Sequence, residues 1–294
     1  MISIITPTYN RAHLLCQLYN SLLHQTCDDF EWIIVDDGST DNTIEIVHKF
    51  LNDNIISIKF LHQQNRGKHI AINLALPHCI GDWVCIVDSD DLLSYDAIEI
   101  LSNHAKLVKS EEICGISAIK VTFDNNVIGK HPNDPVVDLP FFDYYFRMNY
   151  NGDRLLMFRA DLMKQNPFPV FDNEKFIPEG VIWQTITKNK LVRFINSRLN
   201  FCEYQPDGLT AQYRNLMKSN PVGNALYYKI LSENERATFI TKIKSSVLHL
   251  YLLEIVSRNS RDISSILPDK KIHLYHIFAR FLMPIYKLKR ILCG

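Results

Sequence analysis

Apolar positions switch between two periods along the first 110 residues. Ile2 to Ile5 is a short β-branched run closed by Thr6-Pro-Thr-Tyr-Asn10. Pro7 is expected to stop the ladder there, and Asn10 to cap the next segment. Leu14, Leu18 and Leu22 then recur at i+4, with Leu15, Tyr19 and Leu23 beside them, which predicts a helix with one buried face. Trp32 to Val35 reads as a strand. Ile44, Val47 and Leu51 mark a helix that Asp41 opens as a cap or first-turn carboxylate, and Ile55 to Leu61 is a third strand. The polar loop Gln63 to His69 precedes a short helix carrying Ile70, Ala71 and Leu74. A Gly81-Asp82 turn leads into strand Trp83 to Val87, and Ile98, Leu101, Ala105 and Val108 give a helical face over 95–108. Strands and helices that alternate without long gaps predict a mostly parallel sheet covered by helices.

Beyond Gly115 the pattern changes. Ile116 to Phe123 and Val127 to Lys130 flank Asp124-Asn-Asn126, a hairpin pattern. Residues 131–140 hold three prolines and two aspartates and read as loop. Phe141 to Asn149 reads as an aromatic helix, Leu155 to Phe158 as a strand, and Pro167 to Pro178 as irregular. Gly180 to Lys188 reads as a helix with Glu179 at its start. Val192 to Ile195 and Leu199 to Tyr204 read as two further strands. From Val222 the chain reads as helical, with a break near Pro268. Its last segment, Phe278 to Cys293, sets Phe281, Leu282, Ile285, Leu288 and Ile291 against Lys287, Lys289 and Arg290, with Pro284 expected to kink or break it.

Composition narrows the classes. Lysine plus arginine balance aspartate plus glutamate at 32 each, so total charge does not point to nucleic acid. The seven cysteines include no Cys-x-x-Cys pair, which argues against a zinc ribbon and fits buried thiols in a reducing compartment. Met1-Ile-Ser-Ile-Ile-Thr-Pro7 lacks a basic stretch before its apolar residues and reads as a strand, not a signal peptide. No apolar run approaches the roughly 18 residues that span a bilayer. A cytoplasmic protein is expected.

Two strands end in acid. Ile33-Ile-Val35 runs into Asp36-Asp-Gly-Ser-Thr-Asp41, and Val84-Cys-Ile-Val87 runs into Asp88-Ser-Asp-Asp91. Ligands of open α/β sheets bind at the carboxyl ends of strands. Asp88 and Asp90, two apart at such an end, suit one hard divalent cation held together with substrate phosphates; a solvated turn is the alternative. Asp36 and Asp37 suit either a helix N-terminus or the N–H groups of a base. Arg66 and Lys68, around Gly67, suit phosphate or are solvated surface charge. Neither a Gly-x-x-x-x-Gly-Lys-Ser/Thr loop nor Gly-x-Gly-x-x-Gly after the first strand is present, which argues against P-loop and dinucleotide enzymes.

Four stretches together carry a resemblance: Thr6-Pro-Thr-Tyr-Asn-Arg11, Val35-Asp-Asp-Gly-Ser-Thr-Asp41, Asn65-Arg-Gly-Lys-His-Ile-Ala-Ile-Asn73 and Gly81-Asp-Trp-Val-Cys-Ile-Val-Asp-Ser-Asp-Asp91. In this order and spacing they resemble the successive motifs of family 2 glycosyltransferases, over about residues 1–110. The resemblance implies an α/β GT-A fold, a Rossmann-like, mostly parallel sheet flanked by helices. It also implies a nucleotide-sugar donor (usually a UDP-sugar), Mn2+ or Mg2+, and inversion at the anomeric carbon. It would place Thr6, Pro7, Tyr9 and Asp37 around the base, Asp88 near the ribose and Asp90 on the metal; Arg66 and Lys68 stay candidates for the nucleotide's phosphates on their own chemistry.

Such enzymes commonly take a base from the aspartate of a Glu-Asp pair. The corresponding stretch here is Phe176-Ile-Pro-Glu-Gly-Val-Ile-Trp183, with Glu179 matching and Gly180 in the aspartate's place. Glu179 is the candidate base, or else a helix cap, with Asp172 and Glu174 as nearby alternates. Trp183 is expected in the core rather than on a sugar. The implied organisation is a nucleotide-sugar half over 1–110, an acceptor half over 111–215 and a helical extension over 216–294. The last helix is a candidate for contact with an anionic membrane, which would suit a lipid-linked acceptor in surface-polysaccharide synthesis. A nucleotide-sugar-binding protein of this fold with little transferase activity is the alternative.

Overall fold

The computed structural model describes residues 1–203, 205, 208, 211–258 and 274–293. The expected strand end at Tyr204, the break near Pro268 and the side chains of Leu288 to Ile291 lie outside them.

The first half follows the alternation of its sequence: β1 (Ile2–Thr8), α1 (Ala12–Leu23), β2 (Phe30–Asp36), α2 (Thr43–Asp53), β3 (Ile58–His62), α3 (Lys68–Ala75), a 3-10 turn Leu76–His78, and β4 (Trp83–Ile86). These strands lie parallel in the order β3-β2-β1-β4. Every residue of β1 and β2 is buried, as expected of a parallel sheet covered on both faces. On one face Leu15, Leu18 and Leu22 of α1 and Val47 and Phe50 of α2 pack against Ile2, Ile4, Trp32 and Ile34. On the other, Ala71, Ile72 and Ala75 of α3 pack against Ile5, Ile33 and Val35.

Two local expectations are corrected here. Pro7 does not end β1: it pairs in register with Val35, and the strand runs on to Thr8. Asn10 does not cap α1. Arg11 stands at that position, while Asn10 adopts a positive φ of 53° and its Oδ1 accepts the Thr40 N–H at 2.7 Å.

The second half makes the sheet mixed. β5 (Asp91–Leu93) and α4 (Ala97–Leu107) precede β6 (Ile113–Thr122), β7 (Val136–Leu139), β8 (Arg154–Arg159), α5 (Ala160–Gln165), α6 (Gly180–Ile186) and β9 (Leu191–Cys202). β8 lies antiparallel between β4 and β6, and β9 runs parallel to β6. β9 is one strand, not the two expected. Register shifts along β6 bend the pair, so that β7 joins β9 at Val192–Ile195 and β5 joins it at Asn200–Cys202. β7 lies within the proline-rich stretch read as loop. Around Asp124-Asn-Asn126 the chain forms a turn closed by a single Val121–Val127 bridge. The aromatic segment forms a π-helical turn, Asp143–Arg147.

The extension comprises α7 (Tyr213–Ser219), α8 (Pro221–Glu233), α9 (Phe239–Arg258) and α10 (Leu274–Cys293). Val222 and Ala225 of α8 pack on Leu252 and Val256 of α9. α10 lies on α9 through Tyr251–Tyr286 and a Lys287–Glu254 ion pair. Pro284 sits inside α10 without ending it.

Candidate active site

The carboxyl ends of β1, β2 and β4 open into one cavity of about 1100 Å3, whose far wall is the segment from Phe168 to Trp183 together with α7 and α8. Strand alternation decides which motif residues reach it. Pro7, Thr8 and Tyr9 line it. Thr6 does not: it is fully buried and its Oγ1 accepts the Trp32 indole N–H at 2.9 Å. Its place beside the base is therefore corrected. Thr6 shares a strand face with Ile2 and Ile4, and that face turns to the α1 and α2 core.

Asp37 is 5 % exposed, and its carboxylate accepts four hydrogen bonds. Oδ1 takes Gln63 Nε2 at 2.7 Å and the Arg66 N–H at 2.8 Å; Oδ2 takes the Gly67 N–H at 2.8 Å and Asn65 Nδ2 at 3.3 Å. Two carboxylate oxygens offer about four lone-pair sites. A base N–H at Asp37 would therefore displace Asn65, the longest of the four. Gly67 makes the clamp possible: its φ is +99°, and a Cβ there would lie 2.0 Å from the Lys175 carbonyl oxygen. Replacing Asp37 by alanine is expected to cost about 2–4 kcal/mol, because buried loop donors lose their acceptor. Urea denaturation measures this, and a loss under about 0.5 kcal/mol, the scale of an ordinary surface substitution, would contradict the clamp.

Clamping the loop starts α3 at Lys68 and aims its side chain across the cavity. Lys68 Nζ lies 2.5 Å from Asp88 Oδ1 and 2.7 Å from Glu179 Oε1. Burial pulls its pKa down, but the two carboxylates outweigh it and hold Lys68 above its ordinary value. Burial likewise opposes the charge of Asp88, and Lys68 then holds it below the usual range. Asp90 is raised, first by burial and then by the charge of Asp88. Arg66 is exposed and outside the cavity wall; its backbone, not its guanidinium, serves the site.

Glu179 stands at the N-cap of α6 but makes no capping hydrogen bond with its side chain, which points to Lys68 instead. The two alternates drop out. Glu174 is buried and accepts the Val222 and Gly223 N–H groups at 2.6 and 2.7 Å, which caps α8. Asp172 is exposed and does not line the cavity. Trp183 is core, 5 % exposed and stacked on Phe158 at 4.8 Å.

Several wall residues escaped the sequence reading. Lys120 of β6 lies 2.8 Å from Asp91 and 3.0 Å from Asp153, and Asp153, Asp91 and Asp88 keep it charged against burial. A lone lysine inside the apolar run Ile116 to Phe123 was the available signal. His69 is 2 % exposed, and burial lowers its pKa to about 4, so the ring is neutral. Asn73 does not line the cavity; its amide exchanges two 2.8 Å bonds with the backbone of Phe168 and pins the start of the wall segment from Phe168 to Trp183.

The chain is similar to known proteins in sequence and in fold. The family model "Glycosyl transferase family 2" matches residues 3–173. An uncharacterised glycosyltransferase of Rickettsia conorii is 32 % identical over 168 residues, 57 % of this chain and 23 % of that protein. Glycosyltransferase GlyG of Streptococcus pneumoniae is 36 % identical over 117 residues, 39 % of this chain and 38 % of that one. The match thus spans well under half the length of these relatives. Among solved structures, S. aureus TarS 1-349 in complex with UDP-GlcNAc superposes with a TM-score of 0.64 at 19 % identity, covering 95 % of this chain and 79 % of that one. The mannosyltransferase PcManGT of Pyrobaculum calidifontis, in complex with GDP-Man and Mn2+, gives 0.57 at 17 %, covering 99 % and 80 %. At such identities the likeness is one of fold, the GT-A fold. With a family match across more than half of its length, the chain belongs to glycosyl transferase family 2.

Proposed function

We propose that the protein moves a sugar from a nucleotide-sugar, a UDP-sugar, to a hydroxyl of a glycan or lipid-linked acceptor in cell-surface polysaccharide synthesis, by single displacement with inversion. The observation that carries this is the convergence of Lys68, Asp88, Asp90 and Glu179 on one cavity built at the strand ends. UDP-GlcNAc in the structurally similar TarS complex supports the choice of donor. Pro7, Thr8, Tyr9 and Asp37 border the space read as the base pocket. The experiment that tests the proposal is metal-dependent release of nucleoside diphosphate from a panel of nucleotide-sugars.

In this reading the acceptor hydroxyl gives its proton to the Glu179 carboxylate while its oxygen attacks the anomeric carbon. The bond from that carbon to the diphosphate breaks, and its electron pair leaves with the diphosphate. Lys68 stabilises the growing negative charge. The ammonium that now bridges Asp88 and Glu179 is the one the diphosphate would engage. Among the described residues no group of three or more His, Cys, Asp or Glu could hold a metal unaided. The donor set suits Mg2+ or Mn2+ completed by substrate phosphates. Asp90 lines the cavity two residues from Asp88, and the two carboxylates are the ones that would hold the ion. A bound ion would supply neutralisation of the departing diphosphate.

The reading extends to peripheral contact with the cytoplasmic face of a membrane. Among the described residues no helix is long and apolar enough to cross one. Ile277, Phe278, Phe281, Leu282 and Ile285 are exposed along one side of α10, which supports an in-plane contact. Phe281→Ser is expected to weaken binding to anionic phosphatidylglycerol vesicles, read by sedimentation, by about tenfold or more, since burying a phenylalanine contributes about 1.5–3 kcal/mol. Wild-type protein that stays in the supernatant would exclude the contact.

A further inference from the structure

Gly180 stands where the resemblance places an aspartate, and the structure shows what occupies the space beside it. A Cβ added at Gly180 would lie 2.5 Å from Cε2, 3.2 Å from Cδ2 and 3.3 Å from Cζ of Tyr227. Carbon atoms reach optimal contact at about 3.5–4.0 Å, so the Tyr227 ring takes the volume of any side chain at 180. Tyr227 belongs to α8, more than forty residues away in sequence. Its ring lines the same cavity as Glu179.

The acceptor loop itself sets the position of α8. Glu174 caps it through Val222 and Gly223, and Asn220 Oδ1 accepts the N–H groups of Lys175 and Phe176 at 2.7 and 3.1 Å. Phe176 meets Tyr213 of α7 edge-on with ring centroids 6.2 Å apart, and both line the cavity. Phe176, Tyr213 of α7 and Tyr227 of α8 thus line one cavity together with Glu179. Burial, then Tyr228 and Tyr213, raise the Tyr227 phenol above its ordinary value, so it stays neutral.

We propose that Tyr227, with Tyr213 and Phe176, forms an acceptor subsite that receives a neutral pyranose beside Glu179, and that glycine at 180 is what admits the Tyr227 ring. The inference rests on the reading of Glu179 as the group that takes the acceptor proton. Aromatic faces carry negative charge density and attract the C–H faces of a pyranose, while a phenol offers one hydrogen bond. The carboxylates of Asp88 and Glu179 share one ammonium, so the surroundings disfavour an anionic sugar. The absent aspartate is therefore an exchange: a short acid on α6 for an aromatic wall from the C-terminal helices.

Two measurements test this. The first needs no activity. Gly180→Ala is expected to lower the thermal midpoint by several degrees, and Gly180→Ala with Tyr227→Ser to recover most of the loss relative to Tyr227→Ser alone. Gly180→Ala as stable as wild type would overturn the packing. The second uses p-nitrophenyl glucoside, galactoside and N-acetylglucosaminide as acceptor probes with UDP-sugar and Mn2+. Tyr227→Leu is expected to raise the KM of whichever probe is used by about tenfold, with donor KM within about twofold, and Tyr227→Phe to keep most acceptor affinity. An unchanged acceptor KM in Tyr227→Leu would overturn the subsite. If wild type turns over no nucleotide-sugar, saturation-transfer NMR of the same probes with UDP and diamagnetic Mg2+ decides. Wild-type binding lost in Tyr227→Leu keeps the subsite while the transferase reading falls, and no difference between the two proteins removes the subsite.

Discussion

Asp90→Asn is expected to lower metal-dependent donor turnover by about 10²–10³-fold, the loss seen when one preorganised electrostatic partner of a transition state is removed. Asp90 lines the cavity two residues after Asp88, and burial and the charge of Asp88 both disfavour its ionised form. A site that holds negative charge at such cost gains when a cation arrives with the diphosphate, and the amide cannot repay that gain. The variant should fold normally and lose most of the Mn2+ dependence of UDP binding, read by titration calorimetry with and without the ion. Turnover within about threefold of wild type would remove Asp90 from the metal site, because a lost charge-stabilising contact is worth far more than that.

Glu179→Gln is the second large effect. Transfer to an acceptor should fall by about 10²–10⁴-fold, the contribution of a positioned general base, while UDP and Mn2+ still bind. The amide is nearly isosteric, Lys68 keeps its 2.5 Å contact with Asp88, and no capping bond of α6 is lost. Structural damage therefore does not account for the fall. The separation of binding from turnover distinguishes this variant from Asp90→Asn. Full activity in Glu179→Gln would move the base elsewhere, though not to Glu174, which caps α8.

What the sequence discloses follows from how local each signal is. β1 to β4, the helices between them and both acidic strand ends are read from period and turn chemistry within a dozen residues, and the structure keeps them. Lys68, Asp88, Asp90 and Glu179, which line the cavity, sit where motifs end strands or open helices. Thr6 fails because a motif names residues without naming faces; alternation from Ile2 and Ile4 already put it in the core. Asp37 shows a subtler limit. Its type suits a base, yet its acceptor capacity goes to Gln63, Asn65, Arg66 and Gly67, a set that only the folded loop reveals. β7 and the continuous β9 depend on pairing between distant segments, and proline-rich sequence around Val136 hid the first. Gly180 is the sharpest case. In sequence it is a missing acid, and in space it is room for a ring delivered by α8.

The central claim is that this cavity activates a nucleotide-sugar. Purified protein incubated with UDP-, GDP- and dTDP-sugars, with and without Mn2+, and assayed for free nucleoside diphosphate tests it most directly. The account predicts Mn2+-dependent release of UDP from at least one UDP-sugar, abolished by Asp90→Asn. UDP binding with Mn2+ but no turnover of any sugar nucleotide, with or without pyranoside acceptors, would contradict it and leave a binding protein of this fold.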